Sequence, residues 1–268
     1  MINGNFAKLQ EARYFMEKNQ KHTTSETVMP DESAKTGKKE QVAQMFDDIS
    51  SHYDFLNHFL SLGIDIRWRK KLIRKMLKES PRHVLDVATG TGDLAIMAAK
   101  GKKFTPESIT GIDISEGMLD IGRKKLKDQG LSDKITLEYG DSENMPFKDN
   151  TFDAVSVAFG VRNFENLEKG IKELNRVTAK DGKLYILEFS QPKRFPFKHL
   201  YNFYFNYVLP FIGRTVSKHK KAYSYLPESV SAFPSGNEFA EKLKKAGFRE
   251  VTCKNLTFGI STLYTATK

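Results

Sequence analysis

Two glycines in the stretch HVLDVATGTGDLAIMAAK could bring a ligand directly against the backbone. Gly90 and Gly92 tolerate positive φ angles and carry no side chain, so the turn they form leaves room for a bound molecule. Thr91 lies between them, and Asp86 adds a carboxylate near the turn. Asp93, at the start of the next helix-like segment, would repel a phosphate group but not a cation. The stretch therefore predicts a binding turn for a ligand without phosphate.

Two further strand-like segments also end in polar side chains. Asp113 lies 21 residues after Gly92, where an acid accepts both hydroxyls of an adenosine ribose. Asp141 and Ser142 could meet the adenine amino group and ring edge. Such a rim fits S-adenosylmethionine (SAM), a nucleoside with a sulfonium cation and no phosphate. The alternatives are acids that only cap helices, and a nicotinamide-dependent dehydrogenase, whose G-x-G-x-x-G fingerprint is matched only loosely, with Ala95 in the third position.

These residues lie in a part of the chain where predicted strands alternate with predicted helices, and those elements must position them. Short apolar runs without polar alternation are typical of strands buried on both faces. Their alternation with helices predicts a parallel, doubly wound α/β sheet that binds ligands beyond the carboxyl ends of its strands. The last two strands are joined so tightly that they must be antiparallel. The predicted strands are 83–88, 108–113, 134–141, 152–159, 182–189, 249–256 and 260–268, and the helices between them are 92–100, 116–130, 167–178 and 237–246.

The chain ahead of this sheet divides into two parts. Residues 1–40 are polar and low in apolar periodicity, and we expect a mobile extension. Apolar residues recur at helical spacing over 41–60, and a further helix is predicted over Asp65–Lys78. We therefore expect a single domain over 41–268 that begins with cap helices over 41–80.

Composition limits the class of protein. Hydrophobic residues make up 39% and charged residues 28% of the 268 residues, as in soluble globular proteins. No apolar run approaches the roughly 20 residues of a membrane-spanning helix, and the N-terminus lacks the order of a secretory signal, so we expect a cytoplasmic protein. Cys253 is the only cysteine, which excludes a disulfide framework. No spacing of His, Asp and Glu is typical of a metal site, and we predict no metal.

Further segments give the chain a resemblance to class I SAM-dependent methyltransferases and, more narrowly, to the ubiquinone/menaquinone biosynthesis C-methyltransferases. YDFLNHFLSLGIDIRW (53–68) resembles their first signature, RVTAKDGKLYILEFS (176–190) their second, and 149–163 is also similar. The matching positions are Tyr53, Asp54, Asn57, Ser61, Trp68, Arg176, Val177, Gly182, Leu187, Glu188 and Ser190. Two departures are Asp65, where a histidine is usual, and TAKDGK, which replaces Leu-Lys-Pro-Gly-Gly.

The resemblance implies a Rossmann-like fold, a mostly parallel seven-stranded sheet closed by a C-terminal antiparallel hairpin, and SAM as the consumed methyl donor. It also implies methylation of a ring carbon in a prenylated hydroquinone, demethylmenaquinol, in the last step of menaquinone synthesis. The alternatives are a 2-polyprenyl-benzoquinol on the route to ubiquinone, another small molecule, or RNA. The net charge of +10 suits RNA, but the Asn/Asp-Pro-Pro-Tyr motif of many nucleic-acid methyltransferases is absent, so we expect no nucleic-acid partner. A homo-oligomer is left open.

Four residues are candidates for contact with the acceptor. Arg162 and Asn163 follow the fourth strand, where we expect them to face the cleft. A guanidinium there can stabilise a developing phenolate or bind the water that takes the proton, and the amide can orient the hydroxyl. Tyr53 and Asp54, on one helical stretch with Asn57, would cover the cofactor or touch the ring. The alternatives are an Arg162 paired with a surface acid and a helix that only packs; no general base is assigned.

One aromatic segment also bears on the acceptor. FPFKHLYNFYFNYVLPF (195–211) has eight aromatic residues among seventeen and a single lysine, and it predicts a substrate lid inserted over 193–232. A wall of Phe and Tyr would receive a flat quinol and the start of its isoprenoid tail. With the basic run 214–221, it also predicts transient contact with an anionic membrane surface, on the cytoplasmic face. An ordinary packed helix pair is the alternative.

Overall fold

The centre of the protein is a seven-stranded sheet in a computed structural model that describes residues 28–31, 33–50, 61, 63–101, 104–208 and 220–268. The strand order is β3-β2-β1-β4-β5-β7-β6, with β1 to β5 parallel and β7 antiparallel to both of its neighbours. The strands are β1 His83–Val87, β2 Ser108–Asp113, β3 Ile135–Tyr139, β4 Phe152–Ala158, β5 Thr178–Phe189, β6 Arg249–Leu256 and β7 Ser261–Thr267. The predicted parallel sheet with a C-terminal hairpin is confirmed.

Eight α-helices are described, and the first of them begins earlier than expected. They are α1 Lys38–Ile49, α2 Ile64–Met76, α3 Asp93–Ala99, α4 Glu116–Asp128, α5 Leu167–Val177, α6 Phe197–Phe203, α7 Lys220–Ala232 and α8 Asn237–Lys245. The start of α1 lies three residues before the predicted boundary at 41, because Lys38 and Lys39 reach polar groups of the sheet edge instead of solvent. The second half of the helical stretch predicted over 41–60 lies outside the described residues.

Both faces of the sheet are covered, as the apolar runs predicted. Neighbouring residues of one strand enter opposite cores: Val84 packs into one and Leu85 into the other. Ala154 and Val155 repeat the pattern on β4. Because each fully buried Val or Leu contributes about 1.5–3 kcal/mol, this double layer fixes the strands whose ends carry the polar residues.

Two strand ends differ from the prediction by more than one residue. β5 begins at Thr178, four residues early, because the pairing with β4 shifts from Phe152–Thr178 to Ala154–Lys183 and Asp181 bulges out with φ of 62°. β3 ends at Tyr139, so Asp141 stands in a loop and not on the strand. Within the described residues, no helix is long and apolar enough to cross a membrane.

Candidate functional site

A pocket opens at the carboxyl ends of β1 to β4, where the strand order reverses beside β1. It encloses about 640 Å³, part of it open to solvent. Four strand ends and helix α1 supply its walls. The lining residues are Lys39, Val42 and Phe46 from α1, Ala88 and Gly90 after β1, Asp113 at the end of β2 with Ile114 and Met118 after it, Gly140 to Glu143 after β3, and Ala158 to Gly160 with Asn163 to Glu165 at and after β4.

The glycine turn has the backbone form that its sequence predicted. Gly90 and Gly92 have φ of 58° and 78°, in the left-handed region that glycine adopts without strain. Ala88 takes the same region, with φ of 53°. The Thr89 N–H donates to the carbonyl of Ile112 at 3.0 Å, which fixes the turn against the end of β2.

Asp113 lies on the pocket wall beside this turn. Its Oδ2 accepts the Gly90 N–H at 2.8 Å, and its Oδ1 accepts the Ser115 N–H at 2.9 Å. Burial raises the pKa of the carboxyl, while these N–H donors oppose that shift by favouring the ionised form. Each carboxylate oxygen has a second lone pair, so two hydroxyls of a bound ligand can still be accepted.

Asp141 and Ser142 line the next wall, and Asp141 has an unexpected partner. Lys39 Nζ donates to Asp141 Oδ2 at 2.7 Å, and this hydrogen bond raises the pKa of the lysine. The Glu143 N–H donates to Asp141 Oδ1 at 2.9 Å, which holds the carboxylate at the rim. Lys39 could not be recognised from the sequence, because a lysine just before a predicted helix is usually a solvent-exposed surface residue.

Asp86 and Thr91, which were predicted to bind the cofactor, lie behind the pocket wall. Asp86 is buried and accepts the hydroxyls of Thr89 at 2.7 Å and Ser156 at 2.8 Å. Burial raises its pKa to about 6, although both hydroxyls favour the charged form. The Thr91 hydroxyl accepts from Lys125 Nζ at 2.8 Å, and the same ammonium pairs with Asp93. Their direct contact with a ligand stays a prediction.

Asp86→Asn should make protein stability less sensitive to pH. The folded pKa of Asp86 lies above the unfolded value of about 4, so its protonated form stabilises the fold below pH 4, and that contribution is lost as the pH rises through 6. Two pKa units correspond to about 3 kcal/mol. We expect the unfolding free energy of the wild type, relative to Asp86→Asn, to increase when urea titrations are moved from pH 7 to pH 5. A difference that stays constant with pH would contradict the assignment.

Arg162 and Asn163 follow β4 as predicted, but the Arg162 side chain is buried rather than open to the cleft. Its Nη1 pairs with Glu188 Oε1 at 2.8 Å and also donates to the Phe159 carbonyl. Glu188 is 0% exposed, so the partner is a buried acid at the end of β5 and not a surface acid. Arg162 Nε is buried and has no hydrogen-bond partner among the described residues. It is a buried donor that the described residues leave unsatisfied.

Two tyrosines from the helices that follow β5 lie close to this arginine. Burial raises the pKa of Tyr225 to about 12 and also raises that of Tyr201, and the positive charge of Arg162 opposes both shifts. The Tyr225 hydroxyl donates to Asn163 Oδ1 at 3.2 Å, and Asn163 lines the pocket. The end of β4 and the helices that carry Tyr201 and Tyr225 therefore meet around one guanidinium.

Several residues of the two signatures support the site walls instead of lining the pocket. Trp68 Nε1 donates to Thr257 Oγ1 at 2.8 Å, and its ring packs against Phe159 and Phe189. Arg176 donates to the carbonyls of Met145 and Phe147 and so secures the chain between β3 and β4. Asp65, the departure from the family pattern, forms a buried ion pair with Arg69. Tyr53, Asp54 and Asn57 lie outside the described residues.

Several residues around the pocket were not identified from the sequence, and they include Lys38, Lys39, Val42, Phe46 and Glu188. Glu188 could have been found from the sequence, because it belongs to the second signature. Val42 and Phe46 showed only apolar periodicity, which does not distinguish a pocket wall from a packed helix. Within the described part of the chain, no three His, Cys, Asp or Glu residues are grouped so that they could hold a metal ion.

The chain is similar in sequence to two relatives over most of their length. The chain is 50% identical over 231 residues to the demethylmenaquinone methyltransferase of Bacteroides fragilis, covering 86% of this chain and 94% of the relative. It is 45% identical over 235 residues to the ubiquinone/menaquinone biosynthesis C-methyltransferase UbiE of Geobacter sulfurreducens, covering 87% and 90%.

One solved structure extends the likeness of fold. A SAM-dependent methyltransferase from Aquifex aeolicus superimposes with a TM-score of 0.50 at 22% identity, over 73% of this chain and 88% of that one. At this identity the match shows the fold alone, and it agrees with the class I arrangement of seven strands. The model of the ubiE/COQ5 methyltransferase family matches residues 34–268, which include α1, every described strand and the pocket, and the chain therefore belongs to that family.

Proposed function

We propose that this protein transfers the methyl group of SAM to a ring carbon of demethylmenaquinol, a prenylated hydroquinone. The observation that carries the proposal is a pocket lined by Asp113, Asp141 and Asn163, together with the buried Nε of the adjacent Arg162, which has no hydrogen-bond partner among the described residues. The name of the Bacteroides fragilis relative supports the same acceptor. The family also includes ubiquinone biosynthesis, and a 2-polyprenyl-benzoquinol is the second candidate.

The pocket residues suit SAM as the methyl donor. The free lone pairs of Asp113 would accept the ribose hydroxyls, and Asp141 with Ser142 would contact the adenine edge. Lys39, a cation on the pocket wall, is already paired with Asp141, so a phosphate group would meet carboxylates first. Asp86, behind the wall, adds negative charge that favours a sulfonium over a phosphate.

The reaction balances without an oxidant or a metal. A hydroquinone ionises with a pKa near that of a phenol, about 10, and its anion raises the electron density of the adjacent ring carbon. That carbon attacks the methyl group in line, a C–C bond forms, and the S–CH₃ bond breaks with its electron pair remaining on sulfur. The ring then releases the proton from the methylated carbon, which restores aromaticity. The protein has to hold the ring carbon about 3–3.5 Å from the methyl group.

We assign the acceptor oxygen to Arg162 and Asn163. Arg162 Nε is the free donor, and its guanidinium orientation is fixed because Glu188 accepts from both Nη1 and the Arg162 backbone N–H. A fixed positive donor lowers the energy of the phenolate form. Positioning of this kind contributes up to about 7–11 kcal/mol, more than a general base usually gives. Tyr53 and Asp54 remain proposed contacts to the ring or the cofactor.

The outer face of the lid supports contact with a membrane surface that contains the lipophilic acceptor. Phe195 is 81%, Leu200 66% and Phe203 56% exposed, and Phe258 at the tip of the β6–β7 hairpin is 65% exposed. Phe197 stacks on Phe258 with ring centroids 3.7 Å apart, which joins the lid to the hairpin. We call these five residues the aromatic face. Tyr201, on the same helix, is buried near Arg162, so the face and the acceptor site share one lid.

The charges around the aromatic face favour an anionic bilayer as its partner. Lys193, Arg194 and Lys198 are exposed beside it. Between Glu188 and Glu228 the sequence has seven lysines and arginines and no acid. Cations beside exposed aromatics are typical of binding at an anionic lipid surface. We therefore propose that this protein binds peripherally to the cytoplasmic face of a membrane.

Reversing two of these charges should weaken membrane binding. Lys193→Glu with Arg194→Glu should lower partitioning onto phosphatidylglycerol-containing vesicles at least tenfold, because each cation near the surface contributes about 1 kcal/mol. Lys124→Glu with Lys127→Glu is the matched control, since these exposed lysines lie on α4 beside the opposite edge of the sheet. Cosedimentation measures both variants. Equal losses in the two would show that net charge alone, and not the aromatic face, drives binding.

Methyl transfer from labelled SAM tests the proposed reaction directly. The wild type is incubated with reduced demethylmenaquinone, and separately with a polyprenyl-benzoquinol, a catechol and an RNA pool. Label on the ring carbon of the naphthoquinol is the expected result. Label on the benzoquinol alone would move the acceptor to the ubiquinone route, and label on the catechol or RNA alone would refute a quinol acceptor.

A further inference from the structure

We propose that Lys38 is a positioning residue that ties the helix over the cofactor pocket to the turn that carries Arg162 and Asn163. The inference rests on the proposed function, because it concerns the turn that would hold the acceptor. Lys38 is the first residue of α1 and is 7% exposed. Its ammonium group donates to the Phe164 carbonyl at 2.9 Å and to the Arg162 carbonyl at 3.2 Å.

Burying an ammonium group at this position is energetically unfavourable. Removing a charge from water costs several kcal/mol, and an apolar side chain would pack there without that cost. The cost is reflected in the pKa of Lys38, which burial lowers to about 8, with Arg162 adding to the shift. Among the described residues, its hydrogen bonds go to main-chain carbonyls and so fix backbone geometry, while the carboxylates of Glu143 and Glu165 act on its charge only through space.

The same turn is held from two other directions. Glu188 accepts the Arg162 N–H at 3.2 Å, so buried groups of opposite charge bind the N–H and the C=O of one residue. Glu143 Oε1 accepts the N–H groups of Glu165 and Asn166 at 2.8 Å and 2.9 Å. Of these three anchors, Lys38 alone belongs to a helix that lines the cofactor pocket.

Helix α1 thereby connects the two halves of the site. Lys39, the next residue, pairs with Asp141 on the adenine side, while Val42 lines the pocket between them. At the far end of the helix, Asp47 Oδ1 accepts the Ser115 hydroxyl at 2.6 Å and the Gly117 N–H at 2.9 Å. While α1 covers the pocket, Lys38 holds the turn that carries Arg162 and Asn163, and Lys39 contacts Asp141 in the loop after β3.

The adjacent lysines should therefore affect different kinetic parameters. Lys38→Met removes both carbonyl donors, and a shift of the turn by about 1 Å can cost about 100-fold in rate. We expect kcat to fall at least 30-fold, with the Kd for SAM, measured by calorimetry, changed less than about threefold. Lys39→Met should mainly change the Kd and KM for SAM. Lys35→Met, at an exposed lysine three residues away, is the matched control and should behave as the wild type.

Amide hydrogen exchange tests the role of Lys38 without any methyl acceptor. Lys38→Met should accelerate exchange at the Asn163 and Phe164 amides, which bond within the turn to Gly160 and Val161, and should leave the Asn144 amide unchanged. Lys38→Gln, which keeps N–H donors, should give a weaker form of the same pattern and replaces Lys38→Met if that variant does not fold.

Two results would overturn the assignment. One is unchanged exchange in the turn, and the other is a SAM affinity that falls as much as kcat, as expected for a helix anchor that serves the whole fold. If the wild type does not methylate the quinol, the proposed function fails, and the exchange result alone then decides whether Lys38 holds the turn.

Discussion

Asp113→Asn should weaken SAM binding at least about 100-fold while leaving the protein folded. The amide can still accept the Ser115 N–H, but it loses the charge and one acceptor toward the ribose hydroxyls. The hydrogen bond that is lost contributes about 1.5–3 kcal/mol, and the one that remains weakens to the roughly 0.5–1.5 kcal/mol of a neutral pair, so the expected total loss is about 3 kcal/mol. Asp113→Ala should abolish measurable affinity.

Calorimetric titration with SAM measures the effect, and thermal unfolding verifies the fold. Asp120→Asn is the matched control, because it removes a carboxylate from exposed α4, where Asp120 pairs only weakly with a surface arginine. Unchanged affinity in Asp113→Asn would remove the ribose assignment and leave the pocket without its proposed anchor. A large loss of stability without a change in affinity would assign Asp113 to the glycine turn alone.

Arg162→Lys should lower turnover at least about 100-fold and change the Kd for SAM less than about threefold. Lysine keeps a positive charge near Glu188, but it has no donor at the position of Nε and cannot reproduce the planar guanidinium. Loss of one preorganised donor to a developing oxyanion typically costs about 10²–10³ in rate. Single-turnover assays with reduced demethylmenaquinone separate this effect from binding.

Arg162→Ala is a less clean test, because it would leave Glu188 buried without its partner at a cost of about 3–5 kcal/mol. The double variant Arg162→Met with Glu188→Leu replaces the pair by apolar side chains, a change that folds often tolerate. It should bind SAM like the wild type and be at least as slow as Arg162→Lys. Near-normal turnover in either variant would place the acceptor oxygen elsewhere.

The rim of the site could be predicted from the sequence because it depends on strand ends. Gly90, Asp113 and Asp141 stand at or just after the ends of buried apolar runs, and parallel strands bring these ends to one edge. Gly92 belongs to the same turn, but Gly90 is the glycine that lines the pocket. Local order in the chain was enough to place them. The same reasoning put Asp86 on the rim, whereas the structure buries it behind Thr89 and Ser156, since residue periodicity does not reveal which side of the wall a carboxylate faces.

Contacts between segments far apart in the chain could not be predicted from the sequence. Lys38 meets Phe164 across 126 residues, and Trp68 meets Thr257 across 189. No local pattern distinguishes a lysine that binds carbonyls from one that lies in water. The pairing of Arg162 with Glu188 was hidden for the same reason, although both residues stood in segments that resemble the family.

The position of β7 has a consequence for the solubility of shortened chains. β7 lies between β5 and β6, so its removal would expose the edge of β5 along the run Leu184–Leu187. That run is largely apolar and free of proline, a combination that pairs readily with strands of other molecules. Loss of the hairpin would also remove the Thr257 partner of Trp68. A chain cut within β6 or β7 should therefore aggregate through β5 rather than persist as a soluble fragment with a weakened site.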